Sequence, residues 1–275
     1  MYESYWKFNK KPFENVSDER FYYPSETHQG ALLKLRYAIE SRRGAALLAG
    51  PSGSGKTLLV RALRKQLSET YSPLLHVVFP QMPAAELLRY IADGLGTTSD
   101  AAAAGAAQVS DSVQRIERAL ADNASAGHHA VIVIDEAQLL AETGALETMR
   151  LLLNFETDAQ PNLTLLLVGQ TSLLPAIDRM GGLEERLGVK TLLRAFTAEE
   201  TAAYVNHRLR AAGSTDTIFQ SETVDVIHAL SHGIPRRINR LCDLALLVGF
   251  AEERTTISPD QIESVSEELV AVAPE

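Results

Sequence analysis

Short, predominantly apolar runs recur through the first two-thirds of the chain, at residues 45–49, 74–79, 130–134, 163–168 and 189–193. None alternates cleanly between apolar and polar positions, and each is too brief for an ordinary helix, so each predicts a strand covered on both faces. Between them the apolar positions change to helical spacing. Leu58, Leu59, Ala62, Leu63 and Leu67 follow the first run, and similar patterns occupy 84–95, 113–124, 146–155 and 173–180. Strands alternating with helices predict an α/β fold with a parallel sheet between helical layers. The stretch 96–110, rich in Ala, Gly, Thr and Ser, predicts a loop or a loose helix. After Phe196 the strand signals stop, and 197–212, 221–231, 235–251 and 258–270 each predict a helix. Thr197 with Glu200, and Ser221 before Glu222 and Val224, are plausible helix starts. Gly213 and Gly233 are placed to end helices. The expected organisation is an α/β core with an N-terminal linker over 1–195, then a small all-helical domain over 196–275.

Composition adds exclusions. A chain of 275 residues, 45% hydrophobic and 22% charged, has ample material for a buried core. No apolar run approaches the roughly 18 residues of a membrane span, and the N-terminus lacks the apolar stretch of a secretory signal. Cys242 is the only cysteine, so no internal disulfide is expected and a reducing cytoplasm fits best. The net charge of −9 is unevenly spread. Residues 1–65 hold 12 Lys/Arg against 6 Asp/Glu, whereas 196–275 hold 6 against 13. Overall acidity argues against indiscriminate nucleic-acid binding, while the basic N-terminal stretch admits a local anionic partner.

The strongest chemical signal opens the helix after the first strand. Gly50, Pro51, Ser52, Gly53, Ser54, Gly55, Lys56 and Thr57 satisfy G-x-x-x-x-G-K-[S/T], with Leu58 beginning the helical pattern. Glycines let backbone N–H groups turn inward around phosphate oxygens, and the helix N-terminus adds its positive dipole end. Lys56 is expected on the β/γ-phosphates of ATP and the Thr57 hydroxyl on Mg²⁺. The run 130–134 then delivers Asp135 and Glu136. Asp135 is expected to hold Mg²⁺ through water and Glu136 to polarise the attacking water, which points to hydrolysis rather than binding alone. Ala137 and Gln138 extend the pair to Asp-Glu-Ala-Gln, which invites a helicase reading, but no second domain of that type fits after residue 195. His128 and His129 precede the same strand without a cysteine or acidic cluster, and so read as surface loop. Cys242 reads as core.

Phosphate loop, acidic pair, polar strand end and helical C-terminal region together resemble the AAA+ ATPases. The resemblance is closer still to the ExeA/GspA-type ATPases of the general secretion pathway and the related MSHA pilus-biogenesis ATPases; a more distant one is to transposition ATPases of the MuB, TnsC and TniB kind. It covers nearly the whole chain. It is carried by Phe8, Pro12 and Phe13, by the Phe-Tyr-Tyr-Pro-Ser at 21–25, by the Leu-Leu-Asn-Phe-Glu at 152–156, by Gly169-Gln170, and by the Gly-Ile-Pro-Arg-Arg-Ile-Asn at 233–239.

The resemblance implies that Gln170 is sensor 1, that Arg236 is sensor 2 on the helical lid beside Pro235, and that Arg186 is an arginine finger. Such a finger completes a neighbouring subunit's site, so it implies a homo-oligomer with ATP at the subunit interface. It also implies that Pro12 and Phe13, with Ile234 and Pro235, wall the adenine. The expected partner is a protein of a secretion or pilus-type system. A DNA-associated regulator of the transposition type is the alternative, and a nucleotide-gated module with little turnover is opposed by Glu136. Secretion ATPases of this type commonly continue into a membrane span, whereas this sequence ends at Glu275 after the last lid helix.

Overall fold

The computed structural model describes residues 1–15, 18–97, 109–214 and 216–271. The described chain forms two compact units: Thr27–Gly50 with Leu59–Leu193, and Met1–Glu26 with Pro51–Leu58 and Arg194–Glu275.

The first unit is built on five parallel strands: β1 (Ala45–Ala49), β2 (Leu74–Val77), β3 (Ala130–Ile134), β6 (Leu163–Gly169) and β7 (Leu187–Leu192), in spatial order β2-β3-β6-β1-β7. A two-stranded hairpin, β4 (Glu156–Thr157) with β5 (Gln160–Pro161), precedes β6. Every residue of β1, β3 and β6 is buried, as expected for interior strands of a sheet covered on both faces.

Side chains alternate between the two faces with period two. Ala45, Leu47, Ile132, Ile134, Leu165 and Leu167 point into one layer. That layer is closed by α3 (Ala84–Gly94), α4 (Val109–Ser125), α5 (Gln138–Thr143), α6 (Ala145–Leu152), α7 (Leu173–Asp178) and α8 (Gly181–Glu184). The intervening Ala46, Leu48, Val131, Val133, Leu166 and Val168 meet α1 (Glu26–Glu40) and α2 (Lys56–Gln66) through Leu35, Ile39, Leu59 and Leu63. Truncating one of these buried leucines to alanine costs about 2–5 kcal/mol. The loop or loose helix expected over 96–110 falls mainly on 98–108, outside the described residues, and residues 109 and 110 open α4.

The second unit contains α9 (Ala198–Ala211), α10 (Ser221–Ser231), α11 (Pro235–Ala251) and α12 (Pro259–Ala271). Thr197 caps α9 through the expected box: its hydroxyl accepts from the Glu200 amide, and the Glu200 carboxylate accepts from the Thr197 amide. Gly213 follows α9 with φ +95° and Gly233 follows α10 with φ +68°, left-handed positions that glycine occupies without strain. The first 26 residues fold with these helices. The Trp6 indole donates to the Leu246 carbonyl at 3.0 Å, and Tyr2 donates to Asp243. Arg208 is buried, donates to the Pro12 and Glu14 carbonyls, and lies 4.6 Å over the Phe21 ring. Burial lowers its pKa, while carbonyl oxygens and the ring face replace the lost water.

Candidate functional site

In the helical unit the phosphate loop runs from Pro51 into the first turn of α2. Gly53 and Gly55 adopt φ of +79° and +94°, and the Ser54 amide donates to the Pro51 carbonyl at 3.2 Å. Lys56 is buried, and its ammonium donates to the Pro51 carbonyl at 2.9 Å, curling back over the loop. The start of α11 meets the same loop. Pro235 sits in its first turn, where the missing N–H costs nothing, and the Arg236 amide donates to the Gly53 carbonyl at 3.2 Å. A Cβ on Gly53 would lie 2.7 Å from Cβ of Arg236, so glycine is required there both for its φ and for this approach. The side chains of Arg236, Arg237 and Arg240 are exposed. Phe13 is 1% exposed and meets Phe219 edge-on, so in this structure its ring is core.

In the sheet unit, parallel strands place Gly50, Asp135 and Gln170 along one edge, just beyond the C-terminal ends of β1, β3 and β6. Ligands of open α/β sheets bind at such edges. Asp135 is 5% exposed, and its amide donates to the Val77 carbonyl at 2.8 Å. Its Oδ1 accepts from the Glu136 amide at 3.0 Å, and Oδ2 lies 3.6 Å from Nε2 of His76. Glu136 adopts φ +50°, a left-handed conformation costing a non-glycine residue about 1–2 kcal/mol. Strain of this kind persists only where neighbours hold it. Here Gln138 donates from Nε2 to Glu136 Oε2 at 2.6 Å, while its Oε1 accepts from the Gln170 amide at 3.0 Å.

Arg186 stands apart from this cluster. It immediately precedes β7, on the starting edge of the parallel sheet, opposite the edge that bears Asp135, Glu136 and Gln170. Its guanidinium donates to the Leu153 carbonyl at 2.9 Å and to Asn154 Oδ1 at 2.7 Å. With Arg42, Arg43, Glu156 and Glu185 it lines a cavity of about 360 Å³.

Two contributors escape a reading of the sequence. His76 reaches Asp135 only through the β2–β3 register, which sets it opposite Val133. Gln138 lies inside the Asp-Glu-Ala-Gln block, but its role depends on a backbone amide 32 residues further on. One expectation is overturned: His129 is not surface loop. It is fully buried, with Nε2 2.8 Å from the Thr164 hydroxyl, and burial, then Arg42, lowers its pKa to about 4. Among the described residues no group of three or more His, Cys, Asp or Glu could hold a metal ion by itself.

A phosphate loop leaving β1 and an acidic pair ending β3 of a five-stranded parallel sheet define a P-loop NTPase fold. The chain belongs to the AAA family, whose AAA domain model matches residues 39–177. It is 34% identical over 253 residues to general secretion pathway protein A of Aeromonas hydrophila, a match covering 91% of this chain and 45% of that protein. The chain thus spans about half the length of that relative. In fold it is similar to the Aeropyrum pernix ORC2 protein, with a TM-score of 0.70 and 18% identity over 95% of this chain and 72% of that one. It is also similar to the Thermotoga maritima RuvB Holliday junction branch migration motor, at a TM-score of 0.59 and 20% identity over 89% and 69% of the two chains. No described helix is long and apolar enough to cross a membrane.

Proposed function

We propose that this chain binds ATP with Mg²⁺ on the loop 50–57 and hydrolyses it, as one subunit of a homo-oligomer serving a secretion or pilus-type system. The observation that carries the reading is the arrangement at the end of β3. A carboxylate in strained left-handed backbone, Glu136, is fixed between Asp135 and Gln138 beside Gln170. Such a carboxylate can accept a proton from an attacking water. The donor set suits Mg²⁺, which takes one or two protein oxygens and otherwise keeps water and substrate phosphate oxygens. By motif position Thr57 and Asp135 are the residues to hold it, and Mg²⁺ would neutralise charge developing on the phosphates.

Lys56 and the loop amides bind the phosphates, Gln170 and Arg236 serve as sensors, and Arg186 acts on a neighbouring subunit. In this reading an α/β core over 1–195 works against a lid over 196–275. Similarity to the Aeromonas secretion protein supports the biological assignment. DNA-dependent action remains the second reading, favoured by the 12 Lys/Arg against 6 Asp/Glu in residues 1–65.

The test measures ATP hydrolysis against protein concentration, with and without duplex DNA. Glu136→Gln should lower turnover by about 100-fold or more while retaining ATP. Specific activity should rise with concentration and collapse in Arg186→Ala. Turnover independent of concentration and unaffected by that change would sink the action in trans. ATP-dependent, salt-sensitive duplex binding would favour the second reading.

A further inference from the structure

We propose that Gln138 is a positioning residue that couples the catalytic carboxylate of Glu136 to the end of β6. The proposal rests on the reading of Glu136 as the residue that activates water. Its first support is the polarity of the two hydrogen bonds. The Gln170 amide can only donate, so the side-chain oxygen of Gln138 must face it; the NH₂ then faces Glu136, whose carboxylate can only accept. Both bonds are satisfied in one orientation of the amide, and the reverse orientation satisfies neither.

The second support is the way this amide extends the sheet. β3 and β6 pair through Ile134 and Leu167, and beyond the strand end the Ala137 amide still donates to the Val168 carbonyl at 2.8 Å. One step further, the ladder is continued by the Gln138 side chain accepting from the Gln170 amide at 3.0 Å. A planar group with one end on the backbone just beyond β6 and the other on Glu136 Oε2 transmits displacement of one to the other. Its bond to Oε2 also fixes the orientation of the Glu136 carboxylate.

The third support is steric. A Cβ on Gly169 would lie 2.7 Å from Gln138 Oε1 and 3.3 Å from its backbone nitrogen, so the glycine before Gln170 leaves the room that the bridging amide fills. Gly169 and Gln138 are parts of one device.

The test uses the full chain with ATP and Mg²⁺, reading kcat, nucleotide affinity with a fluorescent ATP analogue, and thermal unfolding. Gln138→Leu removes both bonds; Gln138→Glu keeps the acceptor for Gln170 and replaces the donor with a second carboxylate. Each should lower kcat by about 10- to 100-fold, the scale of a misplaced reacting group, with nucleotide affinity within about threefold. Gly169→Ala, which leaves Gln138 in place but crowds it, should reproduce the loss of kcat. In a Glu136→Gln background, Gln138→Leu should add nothing, because the two residues act as a unit. Full kcat in both Gln138 variants overturns the coupling, as does an additive loss in the double variant. A kcat loss matched by equal loss of affinity and of thermal stability marks Gln138 as merely structural and overturns it too. Normal turnover in Glu136→Gln alone overturns instead the reading of Glu136 on which the coupling rests.

Discussion

The two compact units bury themselves by different means. In the sheet unit the buried apolar core is made of Ala, Val, Leu, Ile and Met. Among the described residues no Phe, Tyr or Trp is fully buried in it, and Tyr71 and Phe155 pack against it half-buried. Tyr2, Trp6, Phe8, Phe13, Phe21, Phe196, Tyr204 and Phe219 all lie buried in the helical unit. Geometry accounts for the contrast. Strands spaced at about 4.8 Å under helices present an even layer that aliphatic side chains of similar size fill. Helices packed with an irregular N-terminal segment leave uneven gaps, and rings that each bury about 150–250 Å² can span them. The residues proposed for the chemistry divide along the same line: Lys56 and the loop 51–58 belong to the helical unit, and Asp135 and Glu136 to the sheet unit.

The contrast is broken most directly at Phe13. Phe13→Ala should destabilise the helical unit by about 3–5 kcal/mol, seen as a lower urea midpoint; an unchanged midpoint would mean that the aromatic core does not hold this unit. Acid tests the sheet unit, through His129. Its folded pKa of about 4 lies below its ordinary 6.5, so between these values the unfolded chain takes the proton first. The contribution is therefore whole above pH 6.5 and is lost as pH falls toward 4, by up to about 3 kcal/mol. His129→Gln should flatten that part of the stability–pH curve, and identical slopes in the two proteins would refute the assignment. The smallest effect is expected at the α9 cap: Thr197→Ala should lower helical-unit stability by about 1 kcal/mol, measurable in the same urea titrations.

How far the sequence reveals each unit follows from these cores. Interior strands read clearly because burial on both faces writes itself as an apolar run, and β1, β3 and β6 lie where such runs predict them. Edges read less well. The run at 74–79 outlasts β2, which ends at Val77, and Val78 and Phe79 are 60% and 63% exposed. Aromatics of the first 26 residues follow no period, so they read as a linker although they pack among α9 to α12. The phosphate loop and acidic pair are local in sequence and legible as motifs. What holds them is not local: Gln138 needs Gln170, His76 needs the β2–β3 register, and His129 finds its partner in Thr164, 35 residues away.

Arg186 lies on the starting edge of the sheet and Glu136 on the finishing edge. If that arginine serves another copy of the chain, the contact joins unlike faces. A two-fold dimer, which pairs each patch with itself, cannot be built from it. Every added copy would offer an unsatisfied donor edge at one end and an unsatisfied acceptor edge at the other. Assembly would then be polar, ending only when the rotation between neighbours closes a ring or growth is halted along an open spiral. The last copy of an open spiral would carry carboxylates with no arginine to complete them, making one end of the assembly catalytically idle.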